Sequence, residues 1–183
     1  DMTASLMNSG TKNRSATDIS NQLQAIGANV FVVGDWDSTN AVMQTLTRNL
    51  DSALDIYADV VTNPTFPVSE LETLKKRTLV SLLQRKDNPT AIANVAYNKL
   101  LYGENHPYGR DANEKSVNAI QQADLVKFYE SYYRPNNSTL IVVGDVNSKT
   151  LIPKLEKAFA NWKAADVPTM EMPKANAISK PGI

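Results

Sequence analysis

The sequence contains no cysteine and only one histidine, His106. Without cysteine the chain cannot form a disulfide bond, and it cannot build a zinc site from Cys and His ligands within itself. A cysteine nucleophile is excluded for the same reason. The absence of disulfides is compatible with either the cytoplasm or the periplasm, so cysteine usage leaves the compartment open.

The chain also lacks an excess of charge and a long apolar run. Lys plus Arg and Asp plus Glu both number 19 in 183 residues, which gives a formal net charge of zero at pH 7. A generic nucleic-acid-binding protein would show a basic stripe, so this balance argues against that class. No apolar run approaches the roughly 18 residues of a membrane-spanning helix. The hydrophobic fraction of 42% is typical of a globular protein.

Apolar residues recur at helical spacing through most of the sequence and cluster in three shorter runs. We predict helices over residues 2–7, 17–26, 50–62, 69–85, 89–102, 122–133 and 149–162. We predict strands over residues 29–33, 41–46 and 138–143, of which the second would also suit a helix and the third is expected to be buried. Pro153 predicts a kink or a late start in the last helix. Because helices outweigh strands, the expected fold class is α+β, with helices packed on one face of a largely antiparallel sheet.

The two ends of the sequence differ from its middle. Residues 164–183 contain three prolines and show no apolar periodicity, so we expect an extended linker toward a following domain. Residues 1–163 are expected to form one domain that is incomplete at its N-terminus, because the first residues resemble the middle of a helix. The chain is therefore expected to be a piece of a longer protein.

The loop around His106 holds the first group of side chains that could carry chemistry. His106 would suit a catalytic or ligand role, but a histidine that stabilises a turn explains it better. Glu104 and Asp111 lie nearby without forming a recognisable ligand motif, and Arg110 and Asp111 more simply tie down the loop. These residues alone do not predict an active site.

Two further groups of polar residues also have a simple structural explanation. Asp35 and Asp37 flank Trp36 and resemble a metal-binding loop only loosely, so a polar turn is favoured. The run Lys75-Lys76-Arg77 is most simply the solvated face of a helix. No Gly-x-Ser-x-Gly elbow and no glycine-rich phosphate loop occurs in the sequence. From its residues alone the chain therefore reads as an α+β domain without a complete active site.

A series of short motifs, in order over residues 1 to 162, nevertheless resembles one known family. The motifs are Asn8-Ser9-Gly10-Thr11-Lys12 with Arg14-Ser15-Ala16, Leu23 to Ala28, Leu54 to Pro64 with Phe66, Tyr102-Gly103, His106 to Arg110, Phe128-Tyr129, Tyr132 to Asn137, and Val142 to Val146. The sequence resembles the zinc peptidases of family M16, which include pitrilysin, insulin-degrading enzyme and the mitochondrial processing peptidases. The resemblance implies the α+β domain of that family.

Active members of this family carry His-x-x-Glu-His on a helix, in which two histidines bind zinc and the Glu activates the metal-bound water. Aligned through Gly10-Thr11, the two histidine positions fall on Asp1 and Ser5, and the general base falls on Ala4. The third ligand falls on Ser81. The substrate-holding edge strand, which usually reads Asn-Ala-aromatic-Thr, is here Phe31-Val32-Val33-Gly34. The resemblance therefore implies that this chain has no catalytic residue, no metal ligand and no zinc.

The resemblance also implies what such a silent domain does. Active and inactive halves of the family close on each other, in one chain or as two subunits. We therefore expect this chain to form part of the peptide-binding chamber, together with a catalytic half in cis or in trans that supplies zinc and hydrolyses unfolded peptides. The alternative is a scaffold homologue without a role in proteolysis, as in the core subunits of the respiratory complex. A bacterial periplasm or envelope location is suspected from the resemblance alone.

Overall fold

The computed structural model describes residues 2–175 and places an antiparallel hairpin among helices. The elements are, in order, α1 (Met2–Leu6), α2 (Ala16–Ala25), β1 (Asn29–Gly34), β2 (Thr39–Gln44), α3 (Leu50–Thr62), α4 (Val68–Arg85), α5 (Pro89–Tyr102), α6 (Glu114–Ala119), α7 (Gln122–Tyr132) and α8 (Ser148–Ala158). Strands β1 and β2 pair in a register that sets Asn29 opposite Gln44 and Gly34 opposite Thr39. This combination confirms the predicted α+β class.

The described chain forms two compact units. The first unit contains residues 2–71 and 121–168, and the second contains residues 72–120 and 169–175. The division into a domain over 1–163 and a linker over 164–183 stays a prediction, and residues 176–183 of that linker lie outside the described residues. No helix within residues 2–175 is both long and apolar enough to cross a membrane.

The core of the first unit is built around α3 and the inner face of β1. The side chains of β1 alternate between buried and exposed, with Val30 and Val32 buried and Phe31 and Val33 exposed. Helix α3 buries one side along its length, through Ala53, Leu54, Ile56, Ala58, Val60 and Val61. Around these lie side chains from α1, α2, α7 and α8 that are also buried, namely Ala4, Leu6, Ile19, Leu23, Leu125 and Leu151.

Two helices begin at a side chain that caps them. Ser15 caps α2, since its hydroxyl accepts the amide N–H of Asp18 at 3.1 Å while the Asp18 carboxylate accepts the N–H of Ser15 at 3.0 Å. Asn88 caps α5 by accepting the N–H of Ala91 at 3.1 Å, and Pro89 occupies the first turn. Both caps satisfy amides that a helix leaves without an internal partner.

Asp59 is a charged residue on the buried side of α3, with a side chain that is 5% exposed. Its carboxylate accepts hydrogen bonds from the Thr11 hydroxyl at 2.6 Å, Asn13 Nδ2 at 2.6 Å, Arg14 Nη1 at 2.8 Å and Asn63 Nδ2 at 3.0 Å. Burial alone would raise the pKa of Asp59, but these donors together lower it below its usual value. The network therefore ties the loop after α1 to α3 through one ionised group.

Residues 138–143 do not form the predicted buried strand. Ile141 is 79% exposed and Val143 is 92% exposed. Within the described part of the chain, the amides of residues 139–143 make no backbone hydrogen bond to another residue. A strand needs a neighbour to pair its N–H and C=O groups, and this segment has none among residues 2–175. The prediction was wrong because a β-rich apolar run does not by itself supply a pairing partner.

Three other expectations are resolved by the backbone. Most of the run over residues 41–46, which suited either a strand or a helix, lies in strand β2, because this strand pairs along its length with β1. Of the kink or late start expected at Pro153, the late start does not occur, since α8 begins at Ser148 and contains this proline, and the kink stays a prediction. The same helix ends at Ala158 rather than at Trp162, whose indole Nε1–H instead donates to the Tyr133 carbonyl at 3.1 Å.

Replacing Asp59 by Asn tests whether the buried carboxylate holds the first unit together. We expect Asp59→Asn to lower the free energy of unfolding by about 3–5 kcal/mol at pH 7, because it removes one partner of a buried ion pair. Because the folded pKa is lowered, this stabilisation is present above the unfolded pKa of about 3.9 and is lost as the pH falls through the folded value. Urea denaturation across pH 3 to 7, followed by tryptophan fluorescence, measures both effects.

The matched control is Asp55→Asn. The Asp55 carboxylate also pairs with Arg14, at 2.5 Å, but its side chain is 71% exposed. We therefore expect the control to change the free energy of unfolding by about 0–1 kcal/mol. Equal effects of the two substitutions, or an Asp59→Asn effect that does not shrink below about pH 4, would contradict the role given to Asp59.

Candidate functional site

Helix α1 carries two of the positions that correspond to the catalytic motif, Ala4 and Ser5. The Ala4 side chain is 1% exposed in the core of the first unit, and Ser5 is exposed on the other side of the helix. Asp1 lies outside the described residues. A methyl group cannot accept a proton, and a serine hydroxyl is a poor zinc ligand, so this helix offers neither the base nor the imidazoles of the motif.

The fourth position, Ser81, lies exposed on α4 in the second unit. Among residues 2–175, no three His, Cys, Asp or Glu side chains come together in a way that could hold a metal ion. The hydroxyls of Ser5 and Ser81 and the methyl of Ala4 do not supply the imidazole and carboxylate donors that zinc takes. The expectation that this chain has no metal ligand and no catalytic residue stays a prediction, which metal analysis can test.

His106 stabilises a turn, as the sequence favours. Its side chain is 7% exposed, and Nδ1 accepts the amide N–H of Tyr108 at 3.1 Å at the start of the turn Pro107–Gly109. The imidazole stacks on the Tyr102 ring with centroids 5.1 Å apart. The ring and the hydrogen-bonding nitrogen are therefore engaged in holding the turn against the end of α5.

Gly109 completes this turn by close contact with the end of α5. A Cβ atom at this position would lie 1.9 Å from the carbonyl oxygen of Gly103. Gly103 itself has a φ of 79°, in the region that favours glycine, where it ends α5. The motif His106-Pro107-Tyr108-Gly109 therefore has a packing explanation that needs no bound ligand.

The remaining polar residues near this turn and in the hairpin also have structural partners. Arg85 pairs with Asp111 through both guanidinium nitrogens, and Arg110 Nε donates to the Glu104 carbonyl at 3.3 Å. Both contacts confirm that these residues tie down the loop. In the turn between β1 and β2, the Asp35 carboxylate accepts the N–H of Trp36 at 2.8 Å, and the Asp35 N–H donates to the Ser38 carbonyl at 2.8 Å. This is the polar turn that the sequence favours.

The prediction that residues 75–77 form a solvated face is wrong for its first member. Lys75 is 5% exposed, and its ammonium donates to the Glu72 carboxylate at 2.8 Å one turn earlier. Lys76 and Arg77 are exposed as expected. Successive helical residues point about 100° apart, so three adjacent cations cannot share one face.

The strand at the place of the family's substrate-holding edge is β1. Phe31 is 37% exposed and Val33 is 54% exposed, on the side of the hairpin opposite the buried Val30 and Val32. At the start of β2, the Thr39 hydroxyl lies 2.8 Å from the Tyr133 hydroxyl. The outer side of β1 therefore presents Phe31 where the family pattern has Asn, and Val33 where that pattern has an aromatic residue.

Sequence reasoning missed two features of the first unit, the Asp59 network and an open cleft of about 560 Å³ beside the loop that this network holds. The cleft is lined mostly by residues 9–17, together with Thr65, Pro67, Ser69 and Glu70. The helical pattern does not mark Asp59 as buried, because the residues four positions away on either side are the polar Asp55 and Asn63. Nothing in the sequence pattern predicts the cleft.

Two family descriptions match the sequence over most of its length. The description "Insulinase (Peptidase family M16)" matches residues 3–108, and "Peptidase M16 inactive domain" matches residues 119–182. A solved structure of a peptidase M16 inactive domain from Pseudomonas fluorescens superimposes with a TM-score of 0.85 at 25% identity. That superposition covers 96% of this chain and 43% of the other.

Curated relatives include a protease homologue and a respiratory subunit. An uncharacterized zinc protease of Mycobacterium leprae is 26% identical over 158 residues, which cover 85% of this chain and 35% of that protein. Subunit 1 of the mitochondrial cytochrome b-c1 complex of Bos taurus is 23% identical over 155 residues, covering 82% of this chain and 32% of that protein. The chain thus spans about a third of the length of these two relatives.

Gly109→Ala tests the packing explanation of the turn. The added Cβ must displace the Gly103 carbonyl or its own backbone, so we expect opening of this turn to become easier by about 1–3 kcal/mol. Hydrogen exchange of the amides of residues 102–110 measures the change. Asn118→Ala, at an exposed site of α6, is the control and is expected to stay within about 0.5 kcal/mol. Unchanged exchange in the Gly109 variant would show that the turn is not held by this contact.

Proposed function

Because the chain belongs to peptidase family M16, we propose that it is a non-catalytic domain that works with a separate M16 half carrying His-x-x-Glu-His. The observation that carries this proposal is the chemistry of the motif positions on α1 and α4. The base position is a buried methyl at Ala4, and Ser5 and Ser81 offer hydroxyls where the family has metal ligands. The hydrolytic zinc and its water then have to come from the partner half.

The role proposed for this chain is to form part of the wall of a peptide-binding chamber. The exposed apolar side of β1, with Phe31 and Val33, offers a surface that an unfolded peptide can contact. The catalytic half would lie in the same polypeptide or in a second subunit, and the assembly would act as a zinc metalloendopeptidase on unfolded peptides.

The second candidate function is a scaffold without a role in proteolysis. The similarity to the bovine cytochrome b-c1 subunit, at 23% identity over 155 residues, favours this candidate. The residues at the motif positions, Ala4, Ser5 and Ser81, also suit a scaffold, because a scaffold needs the fold and not the metal. The two candidates differ in whether peptide hydrolysis by the parent assembly depends on this domain.

The first prediction of this proposal concerns the chain alone. We expect the purified chain to hold far less than one zinc per chain and to hydrolyse no fluorogenic peptide, because its motif positions offer hydroxyls and a methyl. Plasma emission spectrometry after dialysis against zinc measures the metal. Ser5→Ala and Ser81→Ala are the controls, and both are expected to leave the metal content unchanged. One zinc per chain that either substitution removes would refute the non-catalytic assignment.

The second prediction concerns the assembly. We expect peptide hydrolysis when the chain is mixed with, or fused to, a motif-bearing M16 half, and a loss of at least tenfold when this domain is deleted from the assembly. Hydrolysis rates normalised to zinc content separate a lost chamber wall from lost metal. An assembly that digests peptides equally well without this domain would contradict the chamber role and leave the scaffold candidate.

A further inference from the structure

Four residues that follow α8, here called the strap (residues 162–165), are fastened to the end of α7 at two points. The Trp162 indole Nε1–H donates to the Tyr133 carbonyl at 3.1 Å. The Asn136 side chain meets Ala165, since its Nδ2 donates to the Ala165 carbonyl at 3.0 Å and its Oδ1 accepts the Ala165 N–H at 3.3 Å. The strap therefore belongs to the first unit, which extends to residue 168.

The Asn136 carboxamide pairs with Ala165 as a residue of a neighbouring strand would. A carboxamide carries an N–H donor beside a C=O acceptor, which are the same two groups that a main-chain residue presents to its neighbour. One side chain thus satisfies both polar main-chain groups of Ala165. Ala164 and Ala165 are exposed and carry only methyl side chains, so hydrogen bonds rather than packing hold this end of the strap.

The turn that presents Asn136 is held without the strap. Asn136 lies in the turn Pro135–Asn137, in which the Asn137 N–H donates to the Arg134 carbonyl at 3.0 Å. The Asn137 side chain also donates to the Tyr132 carbonyl, at 2.9 Å, and so ties the turn to the last residue of α7. Because the main chain at Asn136 is already ordered, pairing with the strap costs less conformational entropy.

Aromatic packing holds the other end of the strap. The ring centroid of Trp162 lies 5.9 Å from that of Phe159, and Phe159 meets Tyr57 of α3 edge to face at 6.2 Å. The Tyr57 hydroxyl donates to the Ala41 carbonyl of β2 at 2.9 Å. Trp162 is half-buried in this arrangement. With Trp162 fixed, only a short segment has to close before Ala165 reaches Asn136, which keeps the entropic cost of closure small.

Tyr133 contacts both the strap and the hairpin. Its carbonyl accepts the Trp162 indole N–H, and its hydroxyl lies 2.8 Å from the Thr39 hydroxyl at the start of β2. Thr39 and Tyr133 are 94 residues apart in the sequence, so only the fold brings them together. A movement of the hairpin that breaks this contact releases the Tyr133 side chain and weakens the anchor of the strap.

We infer that the end of α7 is a latch with a closed and an open state. In the closed state the Tyr133 carbonyl and the Asn136 side chain hold the strap, and in the open state both contacts are lost and the strap joins the extended segment that follows it. The hairpin biases the latch toward the closed state through Thr39. The inference is independent of the proposed function, because it concerns the order of the strap and not peptide hydrolysis.

Limited proteolysis of the full-length protein tests the latch. Trypsin cleaves after Lys163, inside the strap, once the latch opens. Asn136→Ala removes both bonds to Ala165, so we expect cleavage after Lys163 to accelerate about tenfold relative to cleavage after Lys174, which lies outside the strap.

Asn161→Ala is the matched control for this experiment. Asn161 is exposed beside the strap, and its side chain makes no hydrogen bond among residues 2–175. We expect the control to change the relative rate less than twofold. Equal rates in the Asn136 and Asn161 variants would overturn the latch, and so would an unaltered protein that is cleaved after Lys163 as fast as after Lys174.

Asn136→Asp provides a second variant with a graded effect. It keeps an acceptor for the Ala165 N–H and loses the donor to the Ala165 carbonyl, so we expect an acceleration of about threefold, between the unaltered protein and Asn136→Ala. Amide exchange of α3 residues reports global unfolding and is expected to stay unchanged in every variant. An Asp variant that is cleaved no more slowly than the Ala variant would contradict the two-bond pairing.

Hydrogen exchange of the Ala165 amide tests the link to the hairpin. Thr39→Val keeps the branched shape of the side chain and removes the hydroxyl that meets Tyr133, so we expect exchange at Ala165 to accelerate about threefold. Asn40→Ala, at an exposed position of the same strand, is the control and is expected to leave this exchange unchanged. Equal exchange at Ala165 in the two variants would refute the part given to the hairpin.

Discussion

The carboxylate of Asp59 links α3 to the loop that follows α1, and the placement of α1 depends on that link. Three donors in this loop, from Thr11, Asn13 and Arg14, converge on a group that is almost fully buried. An ionised carboxylate is retained in such a place because each lone pair meets a donor, which offsets the cost of removing it from water. The loop is thereby held against α3, and α1 packs Ala4 and Leu6 into the core.

The same arrangement explains how a family fold persists without the family's chemistry. The first unit needs a small apolar side chain at position 4, where Ala4 is buried, and it tolerates a hydroxyl at the exposed position 5. Neither requirement involves a metal. Likewise the motif around His106 is maintained by a ring stack and by the close approach of Gly109 to Gly103. Residues that look functional in the sequence can thus be held by packing alone.

Two apolar surfaces within the described residues lack a packing partner. The segment 139–143 leaves its backbone unpaired while exposing Ile141 and Val143. Helix α5 has no buried residue and exposes Ile92, Tyr97 and Leu100. Apolar surface of this kind is stabilised when another polypeptide covers it, which is consistent with relatives that are more than twice as long.

Local patterns in the sequence were sufficient for most of the helices, for strands β1 and β2 and for the α+β class, because these depend on neighbours within a few residues. The order of the short motifs along residues 1 to 162 was sufficient to identify the family. The tertiary structure decided which polar groups are buried, since Asp59 and Lys75 meet their environment only after the chain has folded. It also decided that residues 138–143 do not pair, because a strand forms only where another strand lies beside it, and no local pattern can say whether one does.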